Sequence, residues 1–175
     1  MTMAGFRSLV TFAFMWAAFA SPVAAEDTGS AQQVLPRLVI APFGFQDTSG
    51  EPRDQKADHA RRLSHSMESA EDFLAGTGLV EPALLDCRQS ACPETIAGLV
   101  EQARGDGARY LLIGMFRKTS TLIGWIKFNV LDLDEEQVTC DRIVTYRGDT
   151  DEAWYRATRM MVREIVKSCL PKAAQ

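Results

Sequence analysis

Apolar positions recur along the chain with several periods, and each period predicts an element. Leu38 to Phe43 (LVIAPF) is a short, almost wholly apolar run, which predicts a strand buried on both faces. Gly44 to Lys56 is rich in Gly, Asp, Ser and Pro and predicts a loop. From Asp58 to Ala75, the residues Ala60, Leu63, Met67, Ala70 and Leu74 recur at three and four positions, the stripe of an amphipathic helix that Gly76 and Gly78 end. Leu79 to Leu85 predicts a weaker strand, which Pro82 shortens or confines to an edge. Pro93 suits the first turn of a second helix, with Glu94 near its positive end and Ile96, Leu99, Val100 and Ala103 as its buried stripe.

Three strands follow in close succession. Tyr110 to Phe116 is continuously apolar and predicts a central strand. Leu122 to Leu131 partly alternates, with Ile126, Phe128 and Val130 on one side and Lys127 and Asn129 on the other. After the acidic turn Asp132 to Glu136, Val138, Cys140, Val144 and Tyr146 share a face. Such succession predicts an antiparallel meander. Asp149 or Thr150 caps a last helix running to about Ser168, with Trp154, Ala157, Met161 and Ile165 on its apolar face. Arg156, Arg159, Arg163 and Lys167 mostly line its other face. The order β-α-β-α-β-β-β-α predicts an α+β fold (an α/β sandwich): a mixed five-stranded sheet with helices mainly on one face.

The amino-terminal segment has a different logic. Arg7 precedes an uncharged apolar segment, Leu9 to Ala20; Ser21-Pro22 breaks it, and Val23-Ala24-Ala25 offers small side chains. This order predicts a signal peptide over residues 1–25, cleaved between Ala25 and Glu26. Twelve helical residues cover about 18 Å, too little for a bilayer that needs about 20 apolar residues. Residues 26–34 then read as a loose leader and residues 35–171 as one domain of ordinary size. No other apolar run reaches membrane length, so stable membrane insertion after cleavage is not expected. The net charge of −4 gives no electrostatic reason to hold nucleic acid or anionic lipid.

Export changes the reading of the cysteines. Cys87, Cys92, Cys140 and Cys169 are an even set, which favours disulfides outside the cytoplasm. Cys87 and Cys92 bracket a short polar loop and form the natural first pair. That leaves Cys140 with Cys169. The strand beyond Cys140 advances about 23 Å, at roughly 3.3 Å per residue. The last helix returns about 28 Å at 1.5 Å per residue, bringing Cys169 within about one turn of Cys140's level. The alternatives are buried free thiols, or a redox role for Cys87 and Cys92, whose spacing is wider than Cys-x-x-Cys.

Candidate chemistry is sparse. His59 and His65 lie six residues apart on one predicted helix and point to different faces, whereas a zinc helix wants i and i+4; both are expected in solvent. Ser64 or Ser66, His65 and Asp58 are helix neighbours without a nucleophile turn. The Gly44 to Gly50 loop lacks a phosphate-binding signature, and the acidic turn lacks calcium-loop spacing. No cofactor, metal or catalytic set is expected. Trp125 shares a strand face with Lys127 and Asn129. An open face there would be a partner surface, rimmed by Arg117, Lys118 and Arg142 or Arg147; the alternative places Trp125 and Trp154 in the core.

The apolar strand LVIAPF, the loop, the helix and the pattern Ala-x-x-x-Gly-Ala-x-Tyr-x-x-x-Gly resemble the amino-terminal domain of TolB and related periplasmic modules, including the CsgG group. The pattern spans Ala103 to Gly114 (ARGDGARYLLIG) with one extra residue before Gly107-Ala108. The similarity covers about Leu38 to Leu170. The cysteine loop before Pro93 and the segment Gly148 to Trp154 (GDTDEAW) resemble a family of exported bacterial proteins of unknown function. The resemblance implies a periplasmic, non-enzymatic binding or assembly module that contacts envelope proteins. A small-ligand carrier or enzyme using loops 44–56 and 86–92, and a thiol-redox protein, are the alternatives.

Overall fold

The computed structural model describes residues 34–87 and 91–171. The strands of the first half all run parallel to one another. β1 (Arg37–Ile40) pairs in parallel with β3 (Glu81–Leu84) on one side and β4 (Tyr110–Lys118) on the other. β5 (Ile123–Asp132) and β6 (Gln137–Arg147) continue antiparallel from β4. The spatial order is β3-β1-β4-β5-β6, so β4 lies centrally and the strand carrying Pro82 lies at an edge, as their sequences predict. The fold is α+β with a mixed sheet.

A sixth strand, β2 (Gly44–Asp47), lies where the sequence predicts loop. β4 is nine residues long, and β1 meets only its first part, Tyr110 to Leu112. β2 pairs in parallel with the rest, from Met115 to Lys118, on the same side. The chain steps across through Ala41 to Phe43. Gly114 permits the step: a Cβ there would meet the Phe43 ring at 2.5 Å.

α1 (Lys56–Ala75) and α3 (Asp151–Ser168) pack side by side on one face of the sheet. They cover Leu38, Ile40, Tyr110, Leu112, Phe116, Ile126, Phe128, Val130, Val144 and Tyr146. α2 (Ile96–Gly105) covers the opposite face near Val39, Ala41 and Leu111. The buried side of α1 is rotated from the predicted stripe. Ala60 is exposed and Leu63 half-buried, whereas His59, Ser66 and Ser69 are buried. The helix faces α3 as well as the sheet, and the two serines bring small side chains to that contact.

α2 starts later than predicted. Thr95 caps it, accepting from Gly98 N–H at 3.1 Å, so Pro93 and Glu94 precede the first turn and Ile96 is 58% exposed. Thr150 caps α3 in the same way, accepting from Ala153 N–H at 3.2 Å. The acidic turn closes on itself: Asp132 Oδ1 accepts from the N–H groups of Asp134 and Glu135.

β6 carries a bulge. Val130 pairs with Cys140, but Leu131 pairs with Val138, which leaves Thr139 as the extra residue. Its hydroxyl donates to Val130 O at 3.1 Å. The bulge reverses the alternation, and Val138, predicted on the core face, is 56% exposed. Cys140 stays inside and is bonded to Cys169, with Cα atoms 5.1 Å apart. Cys87 is bonded to Cys92.

The two disulfides should differ in weight. Closing a loop of 29 residues stabilises by about 3.5 kcal/mol, against about 2 for one of 5 residues. Chemical denaturation of Cys140→Ala/Cys169→Ala should therefore show a larger loss than that of Cys87→Ala/Cys92→Ala.

Candidate functional site

His59 is not in solvent. It is 2% exposed, lies 4.6 Å from the Phe45 ring and stacks on Trp154 at 5.9 Å. Its Nε2 meets Asp149 Oδ2 at 2.9 Å, so the carboxylate accepts and the ring donates. Lys118, the last residue of β4, is 3% exposed, where the sequence predicts the rim of an open patch. Its Nζ reaches Asp149 Oδ2 at 2.8 Å, Glu51 Oε2 at 3.1 Å and Gln55 Oε1 at 3.3 Å. An ammonium has three protons, and all three are used.

Asp149 is likewise saturated. Its Oδ2 accepts from His59 and Lys118; its Oδ1 accepts from Arg62 Nη1 at 3.0 Å and Trp154 Nε1 at 3.1 Å. Asp149 follows Gly148, whose φ of +93° turns the chain from β6 into α3. That turn aims the carboxylate inward between β4 and α1. Asp151, one residue into α3, binds Arg61 and Arg62 from α1.

The electrostatics follow the geometry. Burial alone would raise the pKa of Asp149, but the hydrogen bonds from Lys118, His59 and Trp154 outweigh it and hold the pKa at about 2. Burial alone would lower that of Lys118, but the hydrogen bonds to Asp149 and Glu51 raise it instead. Hydrogen bonds from Arg61 and Arg62 hold Asp151 at about 2. With every oxygen of Asp149 and every proton of Lys118 engaged, the cluster is a clasp between β4, α1 and the start of α3.

Two of the clefts border α1. One, of about 670 Å³, is lined by Phe45, Asp47, Glu51, Arg53, Asp54 and His59. The other, of about 310 Å³, is apolar and is lined by Pro42, Phe43, Leu63, Met67, Leu84 and Leu85. The first uses the 44–56 segment; of the 86–92 loop, the described residues 86, 87, 91 and 92 line neither. Cys92 also stands four residues before Ile96 and is not at the first turn of α2.

Trp125, Lys127 and Asn129 lie together on the sheet face opposite α1 and α3, each half-buried. The Arg117 guanidinium lies 5.6 Å from the Trp125 ring centre. Lys127 Nζ reaches Asp141 at 3.4 Å. Trp154 is the core tryptophan, stacked on Phe116 at 4.7 Å. Ile123, Val138 and Ile143 on β5 and β6, and Leu122 just before β5, are exposed, whereas Phe128 is buried on the other face. The burial of His59 and Lys118 had one sequence signal, an acidic residue directly before a helix cap with a Trp five residues on; their partner lies far along the chain.

Asp149→Asn removes one of the two carboxylates that bind buried Lys118, Glu51 keeping the other, and should cost about 2 kcal/mol or more in urea unfolding. The pH dependence has a definite sign. The folded pKa of Asp149 lies below the ordinary 3.8, so its contribution, about 2 kcal/mol, is present above pH 4 and lost as pH falls toward 2. Stability measured from pH 5 to pH 2 should fall less steeply in Asp149→Asn than in the wild type.

No curated protein shows significant sequence similarity to this chain. Several solved structures are similar to it. PelC from Paraburkholderia phytofirmans, solved as a dodecamer, is 12% identical over 79% of this chain and 90% of that chain, with a TM-score of 0.50. TolB from Acinetobacter baumannii is 13% identical over 75% of this chain and 27% of that chain, with a TM-score of 0.47. The LpoB C-terminal domain from Escherichia coli is 12% identical over 66% of this chain and 87% of that chain, with a TM-score of 0.44. A family model described as a protein of unknown function, DUF3280 (DUF2380), matches residues 36–166, and the chain belongs to that family.

Proposed function

We propose that the protein is a non-enzymatic binding or assembly module of the bacterial envelope, acting through the open face of its sheet. The observation that carries this reading is the surface around Trp125. An aromatic ring, a guanidinium above it and the exposed apolar side chains of Ile123, Val138 and Ile143 share the side that α1 and α3 leave uncovered. Aromatic and Arg side chains of this kind anchor protein interfaces. The saturated clasp supports the same reading, because its His, Asp and Lys groups are committed to one another.

The compartment rests on independent support. Two disulfides in one domain suit an oxidising environment. No helix of the described residues is long and apolar enough to cross a membrane. The resemblance to TolB and related periplasmic modules points to the same place. The signal peptide over residues 1–25 and the leader over 26–34 lie outside the described residues, apart from Val34, and belong to this proposal.

A second reading, a small-ligand carrier, has the cleft of about 670 Å³ in its favour, with Asp47, Arg53 and Asp54 among its charged lining.

Two measurements test the main reading. The intact mass of the exported protein should correspond to a chain beginning at Glu26; a retained amino terminus would overturn the export reading. In envelope cross-linking, the wild type should capture a defined protein that Trp125→Ala/Lys127→Glu loses, with the thermal midpoint of the variant nearly unchanged. An identical cross-linking pattern for the variant would exclude the open face.

A further inference from the structure

The two edges of the sheet are built differently. β3, at one edge, is 4 residues long and carries Pro82. β6, at the other, is 11 residues long, has no Pro or Gly, and is not paired on its outer side among the described residues. A long unprotected edge is a template for another strand.

The ladder shows which backbone groups are open. Gly148 N–H donates to Leu122 O at 2.9 Å, one step beyond the register pair Ile123 and Arg147. Hydrogen-bonded and non-hydrogen-bonded pairs alternate along an antiparallel ladder. Tyr146, Val144 and Arg142 therefore spend their backbone groups on β5. The N–H and C=O groups of Asp141, Ile143, Thr145 and Arg147 point outward, the Asp141 C=O accepting from the exposed Arg142 guanidinium at 3.1 Å, a contact that a pairing strand would displace. The Thr139 bulge marks the end of this usable stretch.

The segment is complementary to itself. A two-fold axis perpendicular to the sheet keeps each face with its own kind, so only registers centred on a residue are available. Centring on Ile143 sets Asp141 against Thr145. Centring on Arg142 sets Asp141 against Ile143. Centring on Val144 sets Ile143 against Thr145 and Asp141 against Arg147, each twice. Only this last register places opposite charges across the seam, and it uses all four outward-facing residues in hydrogen-bonded pairs.

We propose that two copies of the chain pair antiparallel through β6, centred on Val144, with Asp141 of each copy opposite Arg147 of the other. The result is one continuous sheet whose open faces join, bringing the two Trp125 surfaces to the same side. The pairing stands apart from the open-face reading, since it concerns the purified chain alone.

Light scattering after size exclusion of the exported, disulfide-intact protein tests it, over a micromolar concentration series. The wild type should show twice the mass of one chain. Asp141→Arg and Arg147→Asp should each fall to one chain, because like charges then face each other across the seam. Asp141→Arg/Arg147→Asp should restore the doubled mass. Ile143→Pro removes an outward N–H at an edge position where proline is tolerated, and should give a folded single chain. Circular dichroism checks that each variant is folded; if Asp141→Arg is not, Arg147→Asp and Ile143→Pro decide. A wild type at one-chain mass throughout, a dimer that survives the single charge changes, or one that the double change fails to restore would overturn the proposal.

Discussion

The carboxylate of Asp149 is held by four donors that come from three separate parts of the chain: Lys118 at the end of β4, His59 and Arg62 in α1, and Trp154 in α3. Removing a carboxylate from water is expensive, and attraction to a single cation rarely repays it. Here the cost is offset because each oxygen receives two hydrogen bonds and the charge is shared between Lys118, whose three protons are all engaged, and Arg62, which also binds Asp151. The arrangement works only if β4, α1 and α3 adopt one relative position. It therefore sets where Trp154 stacks on Phe116, and with it the packing of the layer beneath the two helices.

That cluster also explains which parts of the molecule were legible from sequence. Elements read correctly where local pattern and tertiary demand agree. Tyr110 to Phe116 is apolar because the strand is central; Thr150 caps because the turn leaves α3's first N–H groups open; Cys140 and Cys169 meet because strand and helix lengths match. The misses occur where the decisive partner is distant. His59 and Asp149 are 90 residues apart, and residue type alone assigns a helix His and a strand-end Lys to solvent. β2 is four residues with two polar side chains, and it is a strand because the far half of β4 needs a neighbour. Val138 reads as inward until the extra residue at Thr139 reverses the alternation.

The TolB-like signature acquires physical content in the same way. Ala103, on α2, is fully buried against the sheet, Gly107 has a φ of +74° in the turn into β4, Tyr110 starts the central strand in the core, and Gly114 leaves room for the Phe43 ring. Each position answers a packing or backbone demand of the β1-β4 crossing. Such a signature can be shared by proteins that bind different things, because none of its residues lies on the open sheet face.

The position of α3 at the end of the domain has a consequence for the order of assembly. α3 supplies Trp154, Ala157, Met161 and Ile165 to the core and carries Cys169 to Cys140. A chain growing from its amino terminus can pair β1, β3 and β4 early, yet it lacks the lid for the β4-β5-β6 meander until its last segment has appeared. Until then Phe116, Ile126, Phe128 and Val144 lack the cover of α3, and Lys118 and His59 lack their partner Asp149. The core therefore cannot close until α3 has been made. A polypeptide built this way stays open until that segment has been made.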